Sequence, residues 1–180
     1  MAGFLKNVVD RTFQQSGKIT FSEEPTIERK DIIEYDHRMR ASGLDKFNYP
    51  AFVAAVNFYK TQKDEQEHNA CGAVVFYIKA SMVEQILKAV GIRGFDEDED
   101  ESVAGKCAEF CLALTEEFKK ELMNAGYANL IMSQPICAKN NIFQGVEFSY
   151  DQYDRFELSY SHSKQKVLVL DLTMANLPRH

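Results

Sequence analysis

The sequence predicts an α+β fold in which helices pack on an antiparallel or mixed β-sheet. Residues 102–123 carry apolar side chains at steps of three and four, the spacing of one helix face. Residues 51–61 and 71–80 are rich in β-branched and aromatic residues and flank a charged turn at 64–69, as in a hairpin. The order helix, hairpin, helix, helix and strands differs from the alternation that builds a parallel sheet.

The N-terminal half adds two helices to this hairpin. Residues 3–15 form an amphipathic helix, and residues 81–91 form a short one with Ser81 as N-cap and Gly91 as its stop. Between them, residues 18–35 are polar with uncertain short strands. Residues 38–50 are predicted to be a loop because Gly43 and Pro50 interrupt them.

The C-terminal third predicts four strands, at residues 129–135, 143–150, 155–162 and 166–173. Apolar and polar residues alternate over 145–150 and over 155–160. Alternation of this kind is typical of a sheet with one face in solvent, so we expect one solvated face.

Composition and charge limit the class of protein. The 180 residues suit a single domain, 1–180, with 45% hydrophobic and 27% charged residues. The formal net charge of −6 argues against nucleic-acid binding, which needs a clustered cationic face. The first 17 residues resemble neither a signal peptide nor a membrane span. We therefore expect a cytoplasmic protein without a membrane partner.

The cysteines predict reduced thiols rather than a metal centre. Cys107 and Cys111 lie one helical turn apart, a spacing that can also place two thiolates on one metal, but no CxxC or histidine pair completes a site. Cys71 and Cys137 are isolated in sequence, and a reducing cytosol disfavours disulfides. The acidic run 95–102 is interpreted as a solvated linker, with cation binding as the alternative. We predict no cofactor and no metal.

The outward side of the helix 102–123 is a candidate protein-contact surface. Opposite its apolar face lie Glu109, Leu112, Ala113, Glu116 and Lys120. A leucine and an alanine among charges are typical of a small contact patch.

These segments resemble the CheC/CheX/FliY group of chemotaxis phosphatases, and CheX most of all. The resemblance covers about residues 50–173 in element order and is specific over 72–140. That part includes the strand and helix 72–91, the helix 100–126 and the segment LIMSQPICAKN. It implies a homodimer and a CheY-like receiver domain as partner, whose aspartyl phosphate proteins of this group hydrolyse.

The group's Glu-x-x-Asn signature falls on Glu109-Phe-Cys-Leu112. A carboxamide can position the attacking water, and a glutamate three residues earlier shares its helix face. Leucine at position 112 can position no water, and the glycines that follow the signature are replaced by Glu116 and Glu117. A second match, Glu121-Leu-Met-Asn124, lies where the helix ends and arises readily by chance.

Three functions follow as hypotheses. The preferred one is a receiver-interacting signalling module whose phosphatase activity is lost or altered, with Glu109 as the residual catalytic candidate. Its partner-binding residues are Glu109, Leu112, Ala113 and Glu116. The first alternative is an active phosphatase that orients water with Gln134 or Glu116. The second is a non-catalytic dimeric structural module.

Overall fold

The computed structural model describes residues 1–16, 18–139 and 146–179. Its helices are α1 (Ala2–Ser16), α2 (Leu44–Phe47), α3 (Gln62–Gln66), α4 (Val83–Ala89) and α5 (Asp100–Asn124), with a 3-10 turn at Ala80–Met82 before α4. Its strands are β1 (Thr26–Asp31), β2 (Glu34–Tyr35), β3 (Arg38–Met39), β4 (Ala51–Tyr59), β5 (Gly72–Lys79), β6 (Ile131–Met132), β7 (Ile136–Lys139), β8 (Asp154–His162) and β9 (Gln165–Met174). The predicted α+β class is confirmed.

The main sheet is antiparallel in every described pairing. Its strand order is β1-β8-β9-β5-β4-β6, and β7 also pairs with β4. The predicted hairpin is present as β4 and β5, in a register that places Phe58 opposite Gly72. The small strands β2 and β3 form a separate two-stranded sheet.

The larger core lies between one face of the sheet and helices α1, α4 and α5. Strand residues of one parity point into it, including Phe58, Phe76, Leu158 and Leu170. The helices contribute the apolar stripes that the sequence spacing predicts, such as Val8, Val9 and Phe13 of α1. This core fixes which side of α5 faces outward.

The opposite face of the sheet is covered too, so the prediction of a solvated face is wrong. Met39 and Ala41 pack against it together with Val146 and Phe148. Glu157, in the alternating segment 155–160 that was expected to have a solvated face, is only 3% exposed, and Asp171 on β9 is 1% exposed. Lysine and arginine partners make their burial tolerable, a pairing between distant segments that alternation along one strand cannot reveal.

Several local predictions are also wrong. The expected loop 38–50 contains β3 and α2, and the expected turn 64–69 overlaps the short helix α3. Ser81 makes no N-cap, because α4 begins after Met82 without a side-chain cap. Gly91 ends that helix as predicted, with a φ of +87° that favours glycine.

The expected strand 143–150 is not a strand over its described part, residues 146–150. Residues 143–145 lie outside the described part of the chain. The segment from residue 146 instead covers the second face of the sheet, where Asn57 Nδ2 donates to the carbonyl of Glu147 at 2.7 Å. Strand β7, at 136–139, was not predicted.

The edges of the sheet are β1 on one side and β6 with β7 on the other. Strands β8 and β9 are interior strands of the described sheet, so they offer no free edge for pairing between two copies of the chain. Strand β1, TIERKD, is charged, and charged edges hinder edge-to-edge pairing. No helix in the described ranges combines the length and the apolar character that a membrane span requires.

Candidate functional site

Helix α5 is held on the sheet by aromatic contacts. Phe110 packs edge-on against Phe76 of β5, and Phe118 against Phe58 of β4, each at 6.0 Å between ring centroids. Phe13 of α1 packs against Phe110 at the same distance. Because these rings point inward from one side of α5, the opposite side is directed away from the core.

The predicted patch lies on that outward side. Glu109, Ala113 and Glu116 are exposed, and Leu112 is half-buried at the border facing solvent. Gly105, one turn earlier, borders open space, so a side chain there would meet nothing within 4 Å. The structure therefore brings the four predicted residues together on one accessible helix surface.

A shallow groove runs beside this patch, with a volume of about 250 Å³. Its walls come from α1, from α5 and from the chain after α4, and its apolar lining includes Val90, Ile92 and Phe110. Glu109 and Ala113 line the groove, so two of the predicted residues border it. Sequence reasoning missed the groove because it arises only when three separate segments pack together.

Neighbouring basic residues moderate the charge of the patch. Lys106 Nζ donates to Glu109 Oε2 at 2.7 Å, and Lys120 Nζ donates to Glu117 Oε1 at 2.6 Å. Both pairs are local helix pairs at the surface, which contribute little free energy and rearrange readily. The carboxylates therefore remain available to a partner.

The second Glu-x-x-Asn match is in a different environment. Arg11 Nη1 of α1 donates to Glu121 Oε1 at 2.8 Å, so this glutamate ties two helices together. Asn124 is the last residue of α5. Glu121 is therefore engaged in contacts between α1 and α5, and this pair is not part of the patch.

Strand β7 runs along the other flank of α5. Lys139 Nζ donates to Asp100 Oδ1 at 2.7 Å near the start of α5, and the Cys137 thiol hydrogen-bonds that of Cys107. The two elements are therefore antiparallel. Gln134 is exposed in the segment just before β7.

The thiols are less isolated than the sequence suggests. The hydrogen bond to Cys137, together with burial, raises the pKa of Cys107, and burial raises the pKa of Cys111 and that of Cys71, the latter to about 11. All four cysteines are free thiols. Within the described ranges, no three His, Cys, Asp or Glu side chains are arranged to hold a metal ion.

No family model matches this chain, and no curated protein is significantly similar in sequence. Solved structures do match over nearly the whole chain. The chemotaxis protein CheX from Desulfovibrio desulfuricans is 11% identical with a TM-score of 0.58, over 96% of this chain and 99% of that one. A CheC-like superfamily protein from Shewanella sp. PV-4 is 14% identical with a TM-score of 0.57, over 96% and 98%.

A third match is CheX from Borrelia burgdorferi, in a complex with CheY, BeF₃ and Mg²⁺. It is 10% identical with a TM-score of 0.53, over 97% of both chains. The fold of this protein is therefore of the CheC/CheX/FliY type. The resemblance detected from helix 102–123 and its neighbours is confirmed at the level of the fold.

Proposed function

We propose that this protein is a chemotaxis or two-component signalling module that binds a CheY-like receiver domain through the outward surface of α5, with little or no phosphatase activity. The observation that carries the proposal is that Glu109, Ala113 and Glu116 are exposed on one helix beside the half-buried Leu112. The groove beside them offers an apolar surface of modest size. A soluble cytoplasmic location is part of the proposal.

The CheX–CheY complex with BeF₃ supports the choice of partner, because it is a complex of a protein with the same fold. Beryllofluoride stands in for the phosphoryl group on a receiver aspartate. A receiver with a cation near its phosphorylation site would meet Glu109, whose carboxylate is exposed and only locally paired. The leucine and alanine between the charges favour contact without catalysis.

Leu112 is the reason for proposing weak catalysis. Hydrolysis of an aspartyl phosphate depends on a water held in line with the phosphorus, and a leucine side chain has no atom that can hydrogen-bond to it. Glu109 can still contact the partner, but no carboxamide lies beside it on the helix to hold the water. The site therefore supports binding better than turnover.

Gln134 favours a second candidate function, an active phosphatase. Its carboxamide is exposed in the segment just before β7, which lies along α5. A carboxamide has the donors and the acceptor that water positioning needs. In this alternative Gln134 replaces the missing asparagine from outside the helix, and Gln134→Ala abolishes the activity.

Receiver binding is the experiment that tests the proposal. CheY-type receiver domains from the same genome are titrated with the protein by isothermal calorimetry, with and without beryllofluoride and Mg²⁺. We expect saturable binding that beryllofluoride strengthens and that Glu109→Arg and Ala113→Arg abolish. The matched control Lys63→Glu, on α3, reverses a charge away from the patch and leaves binding unchanged.

A different result would contradict the proposal. If no activated receiver binds, or if Glu109→Arg and Lys63→Glu bind equally well, the surface of α5 is not the docking site. In the first case, the remaining hypothesis is a structural module that keeps the fold without any receiver contact.

A further inference from the structure

On the face of the sheet opposite α5, the short helix α2 places a lysine between two buried carboxylates. Lys46 Nζ donates to Glu157 Oε2 at 2.5 Å and to Asp171 Oδ1 at 2.9 Å. The Lys46 side chain is 6% exposed, and those of Glu157 and Asp171 are 3% and 1% exposed. Three charges buried at this depth are costly for a scaffold, which makes the cluster a candidate for function.

The two carboxylates are already saturated with donors. Lys30 Nζ donates to the remaining Glu157 oxygen at 2.7 Å, and the Tyr77 hydroxyl donates to Asp171 Oδ2 at 2.8 Å. Arg155 Nε lies 3.1 Å from the same Asp171 oxygen. Burial alone would raise the pKa of Glu157, but the lysine hydrogen bonds outweigh it and hold the pKa at about 2. Glu157 is therefore charged at neutral pH, and the oxygens of both carboxylates already have partners in the cluster.

A cavity of about 260 Å³ opens above this cluster. Its charged lining contains more cations than anions: the three carboxylates Asp45, Glu157 and Asp171 face five cations, Lys30, Arg40, Lys46, Arg155 and Lys166. The excess of two positive charges stands out in a chain whose net charge is −6. Ile33 and the ring of Tyr77 supply the apolar part of the wall.

Two of the rim cations keep donors to spare. The nearest carboxylate oxygen to Lys166 Nζ, on Glu157, is 3.7 Å away, beyond hydrogen-bond length. Arg40 meets Asp45 only at 3.3 Å, through one of its terminal nitrogens. Both side chains are more than a third exposed at the mouth of the cavity. Their remaining N–H groups can turn toward a ligand without breaking the buried pairs.

We propose that this cavity binds a small phosphate-bearing molecule, held by Lys166 and Arg40 above the buried cluster of Lys46, Glu157 and Asp171. A phosphate group offers several acceptor oxygens and up to two negative charges, which match the free donors and the charge excess. The wall formed by Ile33 and Tyr77 suits the non-phosphate part of a phosphate ester. The site is separate from the surface of α5 and does not depend on receiver binding.

Phosphate binding is measured by ¹⁵N NMR titration of the full chain with inorganic phosphate and with adenosine monophosphate, against sodium chloride at equal ionic strength. We expect saturable shifts of amides around the cavity, at residues 40–46, 77, 155–157, 166 and 171. Lys166→Gln and Arg40→Gln each weaken binding about tenfold, the usual loss for one hydrogen bond to a charged group. Binding of both probes identifies the phosphate group itself as the ligand, and binding of adenosine monophosphate alone identifies a larger phosphate ester.

Lys63→Gln is the matched control, since it removes the same charge from an exposed lysine of α3. It must bind both probes as the unsubstituted protein does. The proposal is overturned if neither probe gives saturable shifts beyond those of chloride. It is also overturned if Lys166→Gln and Arg40→Gln bind the probes as tightly as the control Lys63→Gln does. Shifts that map to another surface would overturn it too.

Discussion

Lys106 Nζ and Glu109 Oε2 are 2.7 Å apart on the outward surface of α5, one helical turn from each other. The pair occupies the carboxylate that we assign to partner contact. An exposed helix pair of this kind contributes only a few tenths of a kcal/mol. A docking partner can therefore displace Lys106 at small cost.

This relationship predicts unequal effects of two substitutions on receiver binding. Lys106→Gln frees the carboxylate and changes the affinity for a beryllofluoride-activated receiver by no more than about threefold, because the pair is weak. Glu109→Gln lowers the affinity by about tenfold, because a charged acceptor is lost. Calorimetric titration of both variants measures the difference. An equal loss in both would mean that the pair, rather than Glu109 itself, makes the contact.

The lowered pKa of Glu157 predicts how the free energy of unfolding depends on pH. Its pKa of about 2 in the folded protein lies below the ordinary value of about 4.3 for a glutamate in an unfolded chain. Its stabilising contribution is therefore complete above about pH 5 and is lost as the pH falls through 4 toward 2. Glu157→Gln lowers the free energy of unfolding at pH 7 by about 3 kcal/mol, since Lys46 loses a buried partner.

Urea unfolding of both proteins at pH 7, 4 and 3 checks this prediction. The stability of Glu157→Gln falls less steeply with acid than that of the unsubstituted protein. Glu67→Gln, at an exposed pair on the surface, is the control and follows the unsubstituted protein. If all three lose the same stability between pH 7 and 3, the buried cluster does not govern acid unfolding.

The cysteines predict one accessible thiol. Cys137 is half-buried, whereas Cys71, Cys107 and Cys111 are buried with raised pKa values. Because the thiolate is the reactive form, Cys137 reacts first with Ellman's reagent in the native protein, and Cys137→Ser removes this fast phase. Fast reaction of several thiols would contradict the burial.

Elemental analysis that found one zinc per chain would contradict the prediction that no metal is bound.

Assembly remains a prediction that follows from the resemblance. We expect a homodimer at tens of micromolar, although the interface cannot use the interior strands β8 and β9. Light scattering coupled to size-exclusion chromatography gives the mass directly, against 20.6 kDa for one chain. A mass of one chain at that concentration would refute the dimer.

The sequence predicted what depends on neighbours along the chain. The stripe that includes Phe110 and Phe118 located α5, and the apolar runs located β4 and β5. It did not predict that Lys46 would meet Glu157, 111 positions away, so the covered second face was read as solvated. Alternation marks two faces of a strand but cannot say what lies against either one.

Part of the candidate site could likewise be predicted from the sequence, and part depends on tertiary packing. Exposure of Glu109, Ala113 and Glu116 followed from helical spacing alone, because α5 packs on the sheet by one side. The groove lined by Val90 and Ile92, and the position of β7 along α5, depend on tertiary packing. Neither has a local signal that could have revealed it.

The central claim is that Leu112 makes this protein a binder rather than an efficient phosphatase. We expect the unsubstituted protein to give little acceleration of aspartyl-phosphate loss from a receiver that it binds. Losing one positioned polar group in a catalytic site costs about 10²–10³ in rate, so restoring a carboxamide recovers part of that factor. Asparagine is close to leucine in size, so Leu112→Asn should keep the fold.

The most direct measurement is the dephosphorylation rate of a bound, phosphorylated receiver with the unsubstituted protein, with Leu112→Asn and with Leu112→Asn/Glu109→Ala. The account predicts a rate near the receiver's own for the first, at least about tenfold more for the second, and loss of that gain in the third. It is contradicted if the unsubstituted protein already accelerates hydrolysis as strongly as Leu112→Asn does. Loss of that activity in Gln134→Ala would then identify Gln134 as the residue that orients the water.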